Sequence, residues 1–393
     1  YQEAVHLKKR SKKGGAGRPK AMHILFAGGG TAGHINPALA VATYIKKKHP
    51  TAKISYIGKK GGMEERLVAD AGFEFYPIEV AGFQRRLSAE NIKRNIDAFK
   101  KVFSASKRSS ELLKSLKPDI VMGTGGYVSG PVLREATRLK IKTAIHEQNA
   151  FPGITTKMLT KHVDVVMLAM KEAEPKLKFK NSPVITGNPV RGEMLRYKKA
   201  EARTMLGIPQ DALVLLSMGG SLGAGKINEA MADIIKNNWK DGRIFFIHGA
   251  GRANYEGFVN KLNQFGVDLN ADNLIIKDYL DSTVCMPAAD LIISRAGAIT
   301  LTEIGVCGKP AIFVPSPNVA ENHQYFNALS LKNIGAAELI EEKNISELEN
   351  AVYNIIFNEQ KLNSMGAKIR SATIADATQK IYNELMKLYT KTV

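Results

Sequence analysis

Cysteine is nearly absent: the 393 residues hold two, Cys285 and Cys307. Two thiols cannot build a disulfide framework, and these lack the spacing of a metal site, which fits a reducing cytoplasm. There is one tryptophan, and aromatics make up 7% of the chain, so stacking platforms for single-stranded nucleic acid are not evident. No apolar run reaches the roughly 18 uninterrupted residues of a membrane-spanning helix. No Asp-x-Asp pair is present to carry a nucleotide-bound metal. Acid is also missing locally, with no Asp or Glu between Met22 and Glu64.

Positive charge is abundant. The formal charge is +19, and residues 1–21 carry seven Lys or Arg against one acid, Glu3. That segment has no apolar region of the secretory kind and reads as a disordered basic leader or tag, with Met22 as the natural start. The remaining excess of cations implies an anionic partner: a phosphorylated ligand, a membrane surface or nucleic acid. With 44% hydrophobic residues, the chain is long enough for two domains with full cores.

One stretch organises the rest. The apolar run Met22–Ala27 leads into Gly28-Gly29-Gly30-Thr31-Ala32-Gly33-His34, and a helix is predicted from Pro37 to Lys47. Strand, glycine turn and helix start form an anion site, because bare backbone can approach a phosphate while unpaired N–H groups point at it. Gly28, Gly30 and Gly33 also fit the dinucleotide fingerprint. That fingerprint wants an acid about 20 residues on for the ribose, and the acid-free stretch supplies none. A phosphate or diphosphate cradle, with His34 as a base beside it, is the better reading.

Apolar runs at 53–58, 73–80, 119–123, 141–147, 163–168 and 183–186 alternate with helical stretches. This is the punctuation of a parallel sheet covered on both faces. After Gly187-Asn188-Pro189-Val190-Arg191 the pattern restarts at 213–218, with further strands predicted at 243–248, 274–277, 291–294 and 311–315. The expectation is an α/β protein of two doubly wound, Rossmann-like domains facing across a cleft. Their boundaries fall at 22–188 and 189–366, with closing helices over 367–393.

The second half opens with its own glycine loop, Gly219 to Lys226. It misses a P-loop only at Ile227, where a hydroxyl should hold Mg²⁺; a metal-free phosphate cradle with Ser221 as a donor survives. Three more polar segments follow strands: Gly123–Pro131, His146-Glu147-Gln148-Asn149 and Ser294–Glu303. Glu303 reads either as a surface acid favoured by the helix dipole or as a grip on paired ribose hydroxyls. Glu321-Asn322-His323-Gln324 reads as a polar loop suited to sugar hydroxyls.

In order, the chain carries GGGTAGH, GGYVSGP, HEQN, GNPVR, GGSLGAGKIN, GAITLTE and HQYFNA. This set resembles the lipid-linked N-acetylglucosaminyltransferases of peptidoglycan synthesis, the MurG family, from Met22 onward. Ala32 stands where many members have Gly, and His323 where some have a second Gln. The resemblance implies a GT-B enzyme that moves N-acetylglucosamine from UDP-N-acetylglucosamine to lipid I, with inversion. No cofactor is expected, and the missing Asp-x-Asp pair, the lack of a His/Cys cluster and Ile227 at the P-loop position predict no bound metal. The resemblance also implies an acceptor site at Thr31, Gly33, His34, Tyr127 and Asn149. Ser221 would meet the donor phosphate, Leu280 would offer backbone to uracil and Glu303 would hold the ribose. Arg191, Ala298, Ile299, Thr300 and Gln324 would complete the donor pocket. His34 is the expected general base, with His146 as the alternative.

A lipid acceptor gives the cations a second meaning. Residues 82–117 interleave Ile92, Ile96, Phe99, Val102 and Phe103 with Arg85, Arg86, Lys93, Arg94, Lys100, Lys101, Lys107 and Arg108. The pattern fits docking on anionic lipid, placing the protein peripherally on the cytoplasmic face of the cell membrane, with no nucleic-acid partner. The rivals are another UDP-sugar transferase of the same architecture, an NADP-dependent oxidoreductase with Lys59 and Lys60 at a 2′-phosphate, and a basic nucleic-acid-binding protein.

Overall fold

The structure is a computed structural model and describes residues 21–80, 104–190, 192–220 and 223–390. The basic leader, the cationic stretch over 81–103, Arg191 and Ser221 lie outside the described residues.

The first half alternates β1 (His23–Ala27), α1 (Ala32–Lys48), β2 (Lys53–Lys59), α2 (Met63–Asp70) and β3 (Glu74–Ile78). Helical residues 104–116 (α3) precede β4 (Ile120–Gly123). Then come α4 (Gly126–Arg138), β5 (Lys142–Glu147), α5 (Ile154–Leu159), β6 (Val165–Leu168) and β7 (Val184–Ile185). All pairings are parallel, in the order β3-β2-β1-β4-β5-β6-β7. Parallel strands are covered on both faces, so they read as continuous apolar runs, and every residue of β1 is buried. Leu25, Ala27, Ile57 and Val121 turn to one face, Ile24, Phe26, Ile54 and Met122 to the other.

The second half begins with α6 (Lys199–Leu206), β8 (Leu213–Met218), α7 (Gly225–Asn238), β9 (Ile244–Gly249), α8 (Tyr255–Gln264) and β10 (Leu274–Lys277). It continues through α9 (Ser282–Ala288), β11 (Leu291–Ser294), α10 (Ala298–Cys307), β12 (Ala311–Phe313), α11 (His323–Asn333) and β13 (Ala337–Leu339). Helices α12 (Leu348–Ile356), α13 (Glu359–Ala372) and α14 (Ala377–Thr390) close the chain. This sheet is also parallel, in the order β10-β9-β8-β11-β12-β13. Each sheet therefore reverses direction once, beside β1 in the first and beside β8 in the second. Ligands of such sheets bind at that point, beyond the strands' carboxyl ends.

Four details differ from the sequence reading. Helix α1 starts at Ala32, taking Gly33 and His34 into its first turn, with Pro37 inside it. Pro37, the sixth residue of the helix, removes the bond its N–H would make to the Gly33 carbonyl and crowds that carbonyl with its ring. His323 and Gln324 open α11 rather than lying in a loop, and three-residue β13 was not expected. The two last helices also separate. Met365 and Ile369 of α13 join the second half's cores, whereas Ile381, Leu385 and Leu388 of α14 pack on the first sheet with Ile24, Phe26 and Val41. The chain crosses between halves twice, and the crossings touch. Gly187 has φ +77°, and a Cβ there would lie 2.7 Å from Ile374 Cβ.

Candidate active site

At the first sheet's reversal point, the turns after β1 and β4 lie against each other. Gly126 has φ +75°, and a side chain there would meet the Gly29 carbonyl oxygen at 2.2 Å, so only glycine fits. Ser129 fastens the two turns: its Oγ accepts from the Gly125 amide at 3.0 Å and lies 2.7 Å from the Ala27 carbonyl. Thr124 Oγ1 donates to the His34 carbonyl at 2.7 Å. Behind the loop, fully buried Glu64 accepts from the amides of Lys59 at 2.8 Å and Gly30 at 3.4 Å. Thr31 and Gly33 stay exposed at the mouth, and the Thr31 carbonyl accepts from the His34 amide at 3.0 Å and the Ile35 amide at 3.2 Å.

His34 is half-buried, and its Nδ1 lies 3.0 Å from Oε1 of Gln148. Gln148 Nε2 lies 3.0 Å from His146 Nδ1 and 2.9 Å from the His146 carbonyl. His146 Nε2 in turn reaches the Gly187 carbonyl at 2.9 Å. Burial, partly opposed by that bond and by Glu147, drives the His146 pKa down to about 4. This removes His146 as the alternative base: it is wholly enclosed and both ring nitrogens are engaged. Across the cleft stands His323, whose pKa is lowered by burial, partly opposed by its bond to the Ala320 carbonyl.

The HEQN segment also joins the halves. Asn327 on α11 accepts from the Ala150 amide at 2.9 Å and donates to Asn149 Oδ1 at 3.1 Å. Asn149 Nδ2 donates to Glu147 at 3.1 Å, so this side chain bridges the two halves. Asn188 Nδ2 donates to the Gln148 carbonyl at 3.1 Å and to Thr302 Oγ1 on α10 at 3.2 Å. Phe151 stacks on Phe326 with centroids 5.0 Å apart.

On the far side, Leu280 is buried against Gly249 at the end of β9. Ala298, Ile299 and Thr300 form the first turn of α10, and half-buried Glu303 lies one turn further along. Gln324 Oε1 accepts from the Ser316 amide at 2.8 Å. Ile227 is fully buried, and Lys226 faces solvent in an ion pair with Glu229 at 2.7 Å. Neither resembles the metal-holding end of a P-loop. Among the described residues no cluster of His, Cys, Asp and Glu could hold a metal ion.

Residues 24–168 match the N-terminal domain of glycosyltransferase family 28, and residues 214–381 match its C-terminal domain. The chain belongs to glycosyltransferase family 28. Among family relatives, an Acetivibrio thermocellus protein is 43% identical over 93% of this chain and 98% of its own length. A Caldanaerobacter subterraneus protein is 41% identical over 94% of this chain and all of its own length. Both are named UDP-N-acetylglucosamine–N-acetylmuramyl-(pentapeptide) pyrophosphoryl-undecaprenol N-acetylglucosamine transferase. The crystal structure of Acinetobacter baumannii MurG superposes with a TM-score of 0.76 at 30% identity, covering 93% of this chain and 99% of that one. The fold is GT-B, two Rossmann-like units with a cleft between their strands' carboxyl ends.

For this family 28 chain the structure gathers Thr31, Gly33, His34, exposed Tyr127 and Asn149 on one wall of the cleft. Leu280, Ala298, Ile299, Thr300, Glu303 and Gln324 belong to the other half. Sequence reasoning missed Glu64 and the bridging roles of Asn188 and Asn327. Asn327 carried a signal, being a polar residue on the buried side of a helix.

Proposed function

We propose that this chain is an inverting glycosyltransferase that moves N-acetylglucosamine from UDP-N-acetylglucosamine to undecaprenyl-diphosphate-linked N-acetylmuramoyl-peptide (lipid I), forming lipid II. The observation that carries it is full-length identity of 41–43% to relatives named for that transfer, on a fold with one glycine cradle per half. The first half takes the acceptor diphosphate at the loop before α1, and the second takes the UDP-sugar between the loop before α7 and the start of α10.

His34 then has a defined task. The acceptor hydroxyl gives its proton to His34 Nε2 as its oxygen bonds to the anomeric carbon. The bond from that carbon to the UDP oxygen breaks, and UDP leaves with the electron pair. A single displacement inverts the centre, and backbone amides of the second loop stabilise the leaving diphosphate. Glu303 accepts two ribose hydroxyls.

The lipid tail must stay at a bilayer while its diphosphate reaches the first loop. No helix among the described residues is long and apolar enough to cross a membrane, so the reading is peripheral docking on the cytoplasmic leaflet. Ile154 and Met158, one turn apart on α5, are 52% and 64% exposed. Lys157 and Lys161 lie on or beside the same helix, and both features support that reading alongside the cations over 85–94.

The test is incubation of the purified chain with UDP-N-acetylglucosamine and a lipid I analogue. The expected result is an acceptor heavier by one N-acetylhexosamine and one UDP released for each. Binding of NADPH or single-stranded DNA in place of UDP would return the assignment to its rivals. Ile154→Glu with Met158→Glu should reduce sedimentation with anionic phospholipid vesicles while sparing UDP binding; unchanged sedimentation would move the docking face elsewhere.

A further inference from the structure

We propose that Gln148 is a positioning residue that holds His34 in one tautomer, with the proton on Nδ1 and the lone pair on Nε2. The inference rests on the reading of His34 as the base and adds what makes its Nε2 available.

The assignment follows from two backbone carbonyls, which can only accept hydrogen bonds. The Gln148 amide atom 2.9 Å from the His146 carbonyl must be the NH₂ group. That fixes the orientation of the amide and turns its oxygen to His34 Nδ1 at 3.0 Å. At the other end, His146 Nε2 faces the Gly187 carbonyl at 2.9 Å and must carry a hydrogen. Neutral His146 therefore has a bare Nδ1, which accepts the second hydrogen of the same Gln148 NH₂ at 3.0 Å. The two constraints agree, and no alternative assignment satisfies both carbonyls.

The Gln148 oxygen accepts only, so the His34 nitrogen opposite it must be N–H. The remaining lone pair is then on Nε2, the atom the proposed mechanism uses. The chain of bonds is dry: Gln148 is 2% exposed and His146 fully buried. Burial and its depressed pKa keep His146 neutral at working pH, which the relay requires. The backbone of Gln148 is held by Asn188, which also bonds Thr302 of α10. The same logic operates wherever a second group sets which imidazole nitrogen is bare.

The test begins on the unaltered chain. Long-range proton–nitrogen correlation spectra of ¹⁵N-histidine protein at pH 8, with the His34 signal assigned by its loss in His34→Gln, report which nitrogen holds the hydrogen. Protonated Nδ1 is expected; protonated Nε2 overturns the proposal whatever any variant does. Gln148→Met keeps the volume and removes all three side-chain bonds. We expect a mixture of His34 tautomers, and a kcat lower by about tenfold or more, given that a misdirected tautomer removes most of the base's contribution. The KM for UDP-N-acetylglucosamine should stay within about twofold. Unchanged kcat with an unchanged tautomer, or a rise in donor KM alone, would overturn it. Full activity in His34→Ala would instead remove the base reading, leaving the tautomer measurement intact as a separate result.

Discussion

The two halves open with the same device and use it differently. In each, the first strand runs into a glycine turn that leads into the start of a helix. In the first half the turn is tied in by Thr124, Ser129 and buried Glu64, and the helix presents His34 in its first turn. In the second half the corresponding residues are Lys226, paired on the surface with Glu229, and Ile227, buried in the core. The glycine turn supplies anion-binding backbone in both. Under the proposed function, the side chain on the helix's first turn is what would separate a proton-moving half from a nucleotide-holding one.

The sharpest way to break this contrast is His34→Ala. Loss of a general base should lower kcat by about 10²–10⁴ while UDP affinity stays within about twofold. A defect confined to acceptor KM would make both halves binding halves. The mirror experiment is Glu303→Ala, expected to weaken UDP binding by about 1.5–3 kcal/mol, the scale of hydrogen bonds to a charged group. Calorimetry that shows unchanged UDP affinity in a folded variant would take Glu303 off the ribose.

A smaller difference concerns the buried imidazole that each half carries at a strand end. His146 is bonded at both nitrogens. His248, stacked 4.2 Å from Phe258, has no partner for either, and burial drives its pKa down to about 3. Both folded pKa values lie below the unfolded value of about 6.5. The unfolded chain therefore binds more protons below that pH, and stability falls as pH drops from about 6.5 toward 4. Each group contributes at most about 1.4 kcal/mol per pH unit. His248→Phe should flatten this slope with little change at pH 7.5. His146→Phe should also flatten it, but at about 1–3 kcal/mol of stability at pH 7.5, because Gln148 and the Gly187 carbonyl lose their partner. Urea titrations at pH 7.5 and 5 decide; Trp239, the chain's one tryptophan, reports on the second half. Equal losses at pH 7.5 would erase the distinction. The smallest effect expected is none: excess chelator should leave turnover unchanged, and loss of turnover restored by Mg²⁺ would revise the role of the second loop.

Much of this was legible before any coordinates. Runs such as 213–218 and 291–294 are continuous and apolar because both faces of a parallel strand are covered. The glycine loops declared themselves by composition. Three-residue β13, Ala-Glu-Leu, is too short to show any period. The start of α1 was hidden because Gly33 and Pro37 are poor helix formers in isolation, and packing of Ile35, Ala38 and Val41 outweighs that. Residues that act through distant partners left no trace. Glu64 meets Gly30 from 34 positions away, and Gln148 meets His34 from 114. HEQN was visible as a motif; that its third residue faces the first loop is a property of strand order alone.

The return of α14 to the first sheet has a consequence for how the molecule is made. A ribosome delivers Asn188 about 190 residues before Ala377, an interval on the order of 10–40 s at ordinary synthesis rates. During that time the apolar face of β4 and β5 beside α1 that will receive Ile381, Leu385 and Leu388 is uncovered. The second half can reach its final form while the first is still waiting, so the half synthesised first is the one completed last. A nascent chain stalled before Ala377 would present an open apolar face of the first sheet beside a finished second half, the form that chaperones would meet.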